Sequence, residues 1–332
     1  MSRRAGLRLL AFGLAALWCA LFLRGENTEK SMVRALLLEP SGSGWSAGLL
    51  YQFPEASADA AEVEAGIRFV LAAGSTPQAA LAQAEKKLPR RASYRLCDHL
   101  LLGQGSGFAG VGELEELIRT LPGGRRSARV AVLGFPGERL EEAATEDAAL
   151  PGKLLEADPA APRLYGSRNG LILPIFGLEF RSEPEPETGE LTRQEEGLLL
   201  TEAGGKRLTE EQTEVALFLT GARKTCRVAL DTDPVELNLL ARSVEAERNG
   251  GQDGFWLRLC CRRPPDSRTL TDEETEGLEA LCTDTVRLCW EQGMDLLRLG
   301  SVRALRDGIR EEKSSLTTKN ACPQVRTDVR IF

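Results

Sequence analysis

The side chains of this chain that could form disulfides, bind zinc or take part in Ser-His-Asp catalysis include eight cysteines and one histidine. Cys19 lies in an apolar stretch near the N-terminus, and the remaining cysteines are an odd number at irregular spacings, which is a poor framework for disulfides. They are Cys97, Cys226, Cys260, Cys261, Cys282, Cys289 and Cys322. In a helical pattern, Cys282 and Cys289 lie about 10 Å apart along the axis, beyond disulfide reach. We predict that most of these cysteines are small buried hydrophobic residues, with one or two disulfides left open.

His99 is the single histidine, so any Ser-His-Asp triad or zinc site with a histidine ligand depends on it. The chain has no C-x-x-C pair to complete a zinc site. His99 lies in an apolar stretch that is typical of a strand. We therefore predict a structural hydrogen-bonding role for His99, with no catalytic residues and no metal site.

The glycines of segment 103–112 include Gly105-x-Gly107-x-x-Gly110, the spacing of a dinucleotide-binding turn. Such a site also needs an acidic residue about 20 positions further on, at the end of a second strand. Segment 125–131 occupies that place and carries no acidic residue. We interpret the glycines as a flexible turn between a strand and a helix, and we expect no cofactor.

The overall composition argues against nucleic-acid binding. The formal net charge is −7, aromatic residues make up 5% of the chain, and no strong basic patch follows the N-terminal segment. Carboxylates are plentiful, and a pair of them could hydrolyse a glycosidic bond. Most of them lie at predicted helix starts, where they stabilise the helix dipole. A non-enzymatic role is therefore favoured, with an extracytoplasmic ligand-binding protein or a carboxylate-dependent hydrolase as alternatives.

Residues 1–25 have the layout of an export signal or membrane anchor. Three arginines precede an uncharged apolar run over 9–23, and Arg24 closes it. Three outcomes are open: an uncleaved anchor, a lipid on Cys19, or ordinary cleavage. Trp18 stands where a lipoprotein signal has a small residue, and no A-x-A-like cleavage site is present. We expect the body of the chain to lie outside the cytoplasm, with the arginines inside if the segment is an anchor.

Residues 30–165 are predicted to form an N-terminal α/β domain, because strands and helices alternate along them. The predicted strands are 32–38, 45–53, 94–102 and 128–134, and the predicted helices are 77–88, 113–121 and 137–150. Ser75 or Thr76 can cap the first helix, with Pro77 at its first position. Arg90 and Arg91 then fit the solvated end of that helix better than a phosphate patch.

Two further units are predicted after a linker over 157–163. Residues 166–222 form a small middle α+β subdomain, and residues 223–332 form a C-terminal α+β domain with a strand meander, a long helix and a final strand. The predicted strands are 171–180, 197–202, 226–230, 235–241, 255–261 and 324–332, and the predicted helices are 210–219 and 272–299. Both helices open with a capping box, at Thr209 and Thr271. The predicted fold class is α+β, multi-domain, with mixed or antiparallel sheets each packed with helices.

The order of these elements resembles the Ger(x)C family, the C subunits of spore nutrient-germinant receptors. Segment 75–94 (STPQAALAQAEKKLPRRASY) with the strand after it, and segment 197–212 (GLLLTEAGGKRLTEEQ), carry part of the resemblance. The strand pair around Asn249-Gly250, the long helix after Thr271 and the final strand over 324–332 carry the rest. The resemblance covers most of residues 30–332 and depends on the order of elements more than on any one motif.

The resemblance implies a membrane-anchored, non-enzymatic subunit needed for the response to nutrient germinants. It implies A- and B-type membrane subunits as partners and the outer face of the spore inner membrane as the location. The family has no known catalytic residues, so the resemblance assigns none to this chain. Family members have a lipobox ending in cysteine and then a Trp-Asp segment, whereas Trp precedes Cys19 here, so a transmembrane anchor stands beside lipid attachment as an alternative.

Overall fold

The structure is a computed structural model that describes residues 30–52, 66–147, 149–156, 161–164, 170–180, 189–229, 234–249, 252–265, 268–307, 316–319 and 321–332. Within these ranges the chain forms thirteen strands in two sheets, together with seven helices. The sheets are mixed and both are packed with helices, so the predicted α+β class is confirmed.

The first sheet contains nine strands in the order β3-β2-β1-β5-β6-β7-β8-β9, with β4 paired beside β1. Its strands are β1 (Lys30–Ser41), β2 (Gly44–Gln52), β3 (Ile67–Gly74), β4 (Arg91–Ser93), β5 (His99–Leu102), β6 (Arg129–Leu133), β7 (Leu171–Phe180), β8 (Gly189–Thr201) and β9 (Gly204–Leu208). The central strands β1, β5, β6 and β7 run parallel, and antiparallel pairs lie at both edges. The predicted strands over 32–38 and 45–53 are present as β1 and β2, which pair antiparallel as a hairpin.

Helices cover both faces of the first sheet, as the apolar central strands require. The helices are α1 (Pro77–Lys86), α2 (Phe108–Thr120), α3 (Gly137–Glu146) and α4 (Leu150–Glu156). Leu36 and Leu38 of β1 belong to the core under α1 and α2. Ala35 and Leu37, which point the other way because side chains alternate along a strand, belong to the core under α3 and α4.

The second sheet contains four strands in the order β10-β11-β12-β13, with β13 parallel to β12. Its strands are β10 (Thr225–Val228), β11 (Val235–Asn249), β12 (Gln252–Arg262) and β13 (Gln324–Ile331), and the last three helices are α5 (Glu210–Thr220), α6 (Asp272–Glu291) and α7 (Leu299–Asp307). Residues of β12 alternate between buried and accessible, so one face of the sheet packs on α5 and α6.

Three predicted helix starts, those of α1, α5 and α6, are confirmed by their capping hydrogen bonds. The amide of Ala79 donates to Thr76 Oγ1 (3.1 Å), with Pro77 at the first helical position. The capping boxes at Thr209 and Thr271 have both of their reciprocal hydrogen bonds. Because capping depends on residues three positions apart, it was readable from the sequence.

Three predicted elements are wrong in extent. Of the predicted strand over 94–102, only β5 (His99–Leu102) is a strand, because residues 94–98 turn, with the Cys97 amide donating to the Tyr94 carbonyl (3.1 Å). Helix α2 begins at Phe108, five residues earlier than predicted, because Gly107 acts as its N-cap. The predicted helix over 137–150 divides into α3 and α4.

The long helix α6 ends at Glu291, and the prediction that it reaches 299 is wrong. Gly293 follows the helix with φ 91°, a left-handed conformation that ends helices and favours glycine. Gly300, the residue after the predicted end at 299, lies instead in the first turn of α7. Strands β3, β4 and β9 are not among the predicted strands.

The predicted domain boundaries stay a prediction. Strands on both sides of the boundary at 165/166 lie in the first sheet, so strand pairing alone does not separate these two units. The acidic segment 182–190 lies mostly outside the described residues, and its last two residues begin β8. Of the predicted linker over 157–163, only 161–163 are described, and Arg163 forms an isolated antiparallel β-bridge with Arg129.

Removal of the α6 cap should destabilise the fold measurably. We expect Thr271→Ala to lower the free energy of unfolding by about 1 kcal/mol, because the amide of Glu274 loses its acceptor, Thr271 Oγ1 (3.2 Å). Urea unfolding followed by circular dichroism measures this. Thr271→Ser keeps the hydroxyl and serves as the matched control. An equal loss in both variants would mean that the cap does not stabilise α6.

Candidate functional site

The cysteines of the described residues are free thiols, and five of them are buried. The buried ones are Cys97, Cys226, Cys261, Cys282 and Cys289. Burial raises the pKa of Cys97, Cys282 and Cys289 to about 12, so these side chains stay protonated at neutral pH. The prediction that most of the cysteines are small buried hydrophobic residues is confirmed. Cys19 lies outside the described residues.

His99 begins β5 and pairs in register with Ala35 on one side and Arg129 on the other. Burial lowers its pKa, and the nearby charges of Arg129 and Arg34 lower it further. Its Nε2 atom is buried and has no hydrogen-bond partner among the described residues. The predicted hydrogen-bonding role is therefore not made through this nitrogen.

The glycine-rich segment forms the predicted turn between β5 and α2. Gly105 has φ 85°, which only glycine adopts without strain. Gly103 lies against Glu39, and a Cβ atom at this position would be 2.0 Å from the Cβ of Glu39. Gly103 is thus explained by close packing against β1, without a dinucleotide.

Glu39, near the end of β1, is a buried carboxyl at 7% exposure. Its Oε2 accepts a hydrogen bond from the amide of Gly137 (3.0 Å), the first residue of α3. Burial raises the pKa of Glu39, the Gly137 hydrogen bond opposes that rise, and the charge of Glu138 adds to it. Pro136 stands at the N-cap of α3 and has no side-chain hydrogen bond to offer, so Glu39 supplies the cap from another element. The sequence carries no local signal for this contact.

Within the described ranges, no group of three or more His, Cys, Asp or Glu side chains is arranged to hold a metal ion. None of the helices within those ranges combines the length and the apolar content needed to cross a bilayer.

The candidate functional site is the outer face of the second sheet, which we call the Trp256 face. It consists of Glu245 and Glu247 from β11, Trp256 and Arg258 from β12, and Arg326 from β13. These side chains are accessible, because they lie opposite the buried Phe255 and Leu257. Sequence reasoning missed this face, although the alternation over 255–261 already placed Trp256 opposite the core.

Trp256 is held between charged neighbours. The guanidinium carbons of Arg258 and Arg326 lie 6.0 Å and 5.8 Å from the centre of its ring. These are distances at which a cation is attracted to the ring face. The indole Nε1–H donates to Glu247 Oε2 (2.5 Å), and Arg258 also pairs with Glu245 (3.0 Å). The contacts hold the ring in one place at an accessible surface.

A groove of about 520 Å³ connects Trp256 to the exposed side of α6. Arg326 and Thr327 of β13 form one wall, and α6 residues such as Asp284 and Arg287 form the other. Glu279 accepts a hydrogen bond from the amide of Val329 (2.8 Å), so this helix partly covers the edge of β13. The mixed charges and the aromatic ring suit a protein surface better than an apolar ligand.

Comparisons with known proteins give one match. No protein-family model matches the chain, and no curated protein matches it either. Among solved structures, the chain is similar to the crystal structure of the GerBC protein, with probability 1.00 and a TM-score of 0.43. The match has 9% sequence identity and covers 90% of this chain and 96% of the other.

Titration of Glu39 should be visible in the pH dependence of stability. Because its pKa is raised in the folded state, the folded chain binds this proton more tightly than the unfolded chain does. Its contribution to stability is therefore fully present below the ordinary value of 4.5 and is lost as the pH rises through the raised value.

Glu39→Gln keeps an acceptor for the Gly137 amide and removes the titration. We expect the free energy of unfolding of the unmodified chain, relative to this variant, to fall as the pH rises above 4.5 and through the raised pKa of Glu39. Urea unfolding at several pH values measures it. Glu116→Gln is the control, because Arg119 lowers the pKa of Glu116 and any dependence there has the opposite sign. A pH-independent difference for Glu39→Gln would contradict the assignment.

Proposed function

We propose that this chain is a membrane-anchored, non-enzymatic subunit of the Ger(x)C kind, a C subunit of a spore germinant receptor. The observation that carries the docking role is the Trp256 face, an accessible tryptophan held between two arginines. Tryptophan and arginine are the residues that most often dominate the free energy of protein–protein binding. The order of elements that resembles the family supports the assignment.

The anchoring part of the proposal rests on the N-terminal sequence. The apolar run over 9–23 ends at Arg24, and β1 begins at Lys30, only six residues later. A folded body joined so closely to an apolar segment stays at the membrane surface. The proposed location is the outer face of the spore inner membrane, with the N-terminus as the link to the bilayer.

The proposed partners are the A- and B-type membrane subunits of the receptor. A tethered body shares the membrane with them, and this raises its effective concentration without any new contact. The Trp256 face then needs only moderate affinity to stay docked. The proposed role is to transmit or support the response to nutrient germinants through that contact.

The observations on reactive groups support a non-enzymatic role. Burial keeps the thiols of Cys97, Cys282 and Cys289 protonated. The buried carboxyl Glu39 is used to cap α3. A hydrolase of the retaining or inverting type would need two carboxylates about 5 to 10 Å apart across a cleft.

Deletion of residues 1–24 should separate folding from function. We expect a soluble, folded protein that no longer supports germination, because the body loses its effective concentration near the partners. Circular dichroism and urea unfolding test the fold, and a germination assay in spores that lack the native gene tests the function. Replacement of residues 1–24 by an unrelated membrane anchor is the control and should restore activity. Full activity of the truncated protein would contradict the proposal.

Trp256→Ala should weaken docking. We expect the affinity for the partner subunits to fall by about ten-fold or more, the usual effect of truncating a central tryptophan. Binding of detergent-solubilised partner subunits to the full chain, followed by biolayer interferometry, measures this.

Leu305→Ala is the matched control for this experiment, because Leu305 is a large hydrophobic residue at 81% exposure on α7. It should leave the affinity unchanged. Both variants should unfold at the same urea concentration as the unmodified chain. If Trp256→Ala binds the partners as tightly as Leu305→Ala, the Trp256 face is not the docking surface.

A further inference from the structure

We propose that the end of the first sheet where β1 begins contacts anionic lipid headgroups and fixes the orientation of the body on the bilayer. We call this region the tether end; its basic residues are Lys30, Arg34, Arg91, Arg95 and Arg129. The inference rests on the proposed membrane anchoring, and it goes further by naming a second, electrostatic contact.

The length of the link to the apolar run brings the tether end to the membrane. Arg24 and Lys30 are six residues apart, and a fully extended chain of that length spans at most about 20 Å. Lys30 is the first residue of β1. Whatever the path of the link, the start of β1 therefore lies within that distance of the end of the apolar run.

Strand register collects basic residues at this end from distant parts of the sequence. Lys30 pairs with Arg91, the first residue of β4. Five residues further along β1, Ala35 is in register with His99 and, through it, with Arg129. Arg95 follows β4 and packs against Gly123: its Cγ is 3.0 Å from the point that a Cβ atom on Gly123 would occupy.

These cations have no carboxylate partner among the described residues, in contrast to several arginines elsewhere. Arg207, Arg258 and Arg330 form ion pairs with Glu196, Glu245 and Asp328. None of the five tether-end side chains forms an ion pair or a side-chain hydrogen bond with another described residue. Asp98 lies at the same end, and Arg125 already pairs with it (2.8 Å). The tether end therefore carries excess positive charge on a chain whose formal net charge is −7.

Anionic headgroups are the partner that this arrangement fits. A basic residue near an anionic bilayer is attracted to it, and the attraction fades beyond about 10 Å at 0.1 M salt. The acidic remainder of the body is repelled by the same surface. The two effects favour one orientation, with the tether end towards the headgroups.

The test uses the full chain in lipid nanodiscs of two compositions, phosphatidylcholine alone or with about one third phosphatidylglycerol. Hydrogen–deuterium exchange is followed in peptides that cover 94–98 and 121–128. We expect slower exchange of these peptides in the anionic discs at about 0.1 M salt, and no difference at about 1 M salt.

A pair of double variants tests whether the named charges are responsible. Arg91→Gln with Arg95→Gln removes two exposed cations of the tether end, and each should weaken the docked orientation about five-fold. Arg227→Gln with Arg262→Gln removes two exposed cations of the second sheet and is the matched control. We expect the first pair to abolish the protection in anionic discs and the second pair to leave it unchanged.

The outcomes separate this inference from the anchoring that it rests on. If the full chain does not co-elute with nanodiscs of either composition, anchoring fails and the inference falls with it. If it co-elutes but the two peptides exchange equally in both lipid compositions, only the lipid contact is overturned. Neutralisation of the tether-end charges by the carboxylates of 26–29 and 53–65 would give this result. Protection that appears only when the partner subunits are added would also overturn it, because the occupant would then be a protein.

Discussion

The strand β1 is the constraint on which the rest of the structure depends. It pairs with β2 along one edge and with β4 and β5 along the other, so it is the centre from which the first sheet extends. Both of its faces are buried, and its leucines therefore join two separate cores. Its first residue, Lys30, lies at the tether end, and near its last, Glu39 caps α3. A polar residue at Leu36 or Leu37 would be buried without a hydrogen-bond partner, and the sheet and both helix layers would lose stability together.

Features that depend on residues close together in the chain could be predicted from the sequence, whereas features that depend on distant residues could not. The caps at Thr76, Thr209 and Thr271 involve residues three positions apart, and they were predicted correctly. Strand β9 was missed because GGKRL has neither alternation nor β-branched residues and exists by pairing with β8. The end of α6 was misplaced because Gly300 looked like a stop, whereas the chain turns at Gly293 and restarts as α7 with Asp295 accepting hydrogen bonds from its first amides.

The functional surfaces were less predictable because they are made by pairing between distant strands. The composition predicts no strong basic patch after the N-terminal segment, and no continuous stretch of the sequence there forms one. The tether end exists only because register brings Lys30 beside Arg91 and aligns Arg129 through His99. The contact of Glu39 with Gly137 is similar, since the two residues are separated by most of the N-terminal half. For the Trp256 face the signal was present in the alternation over 255–261, but the sequence analysis did not use it.

The two proposed surfaces are linked through the structure, because the two sheets share a core. Ile172 and Leu199 of the first sheet are buried in the core of the second, beside residues of α5 and α6. The Thr201 hydroxyl also donates to the carbonyl of Gln292 (2.6 Å), which joins the end of β8 to the end of α6. A contact that orients the first sheet on the bilayer therefore orients the Trp256 face as well. Orientation matters to docking because a face held in one direction loses less rotational freedom on binding than a freely tumbling body does. A lipid contact at the tether end would thus strengthen partner binding at a surface that it does not touch.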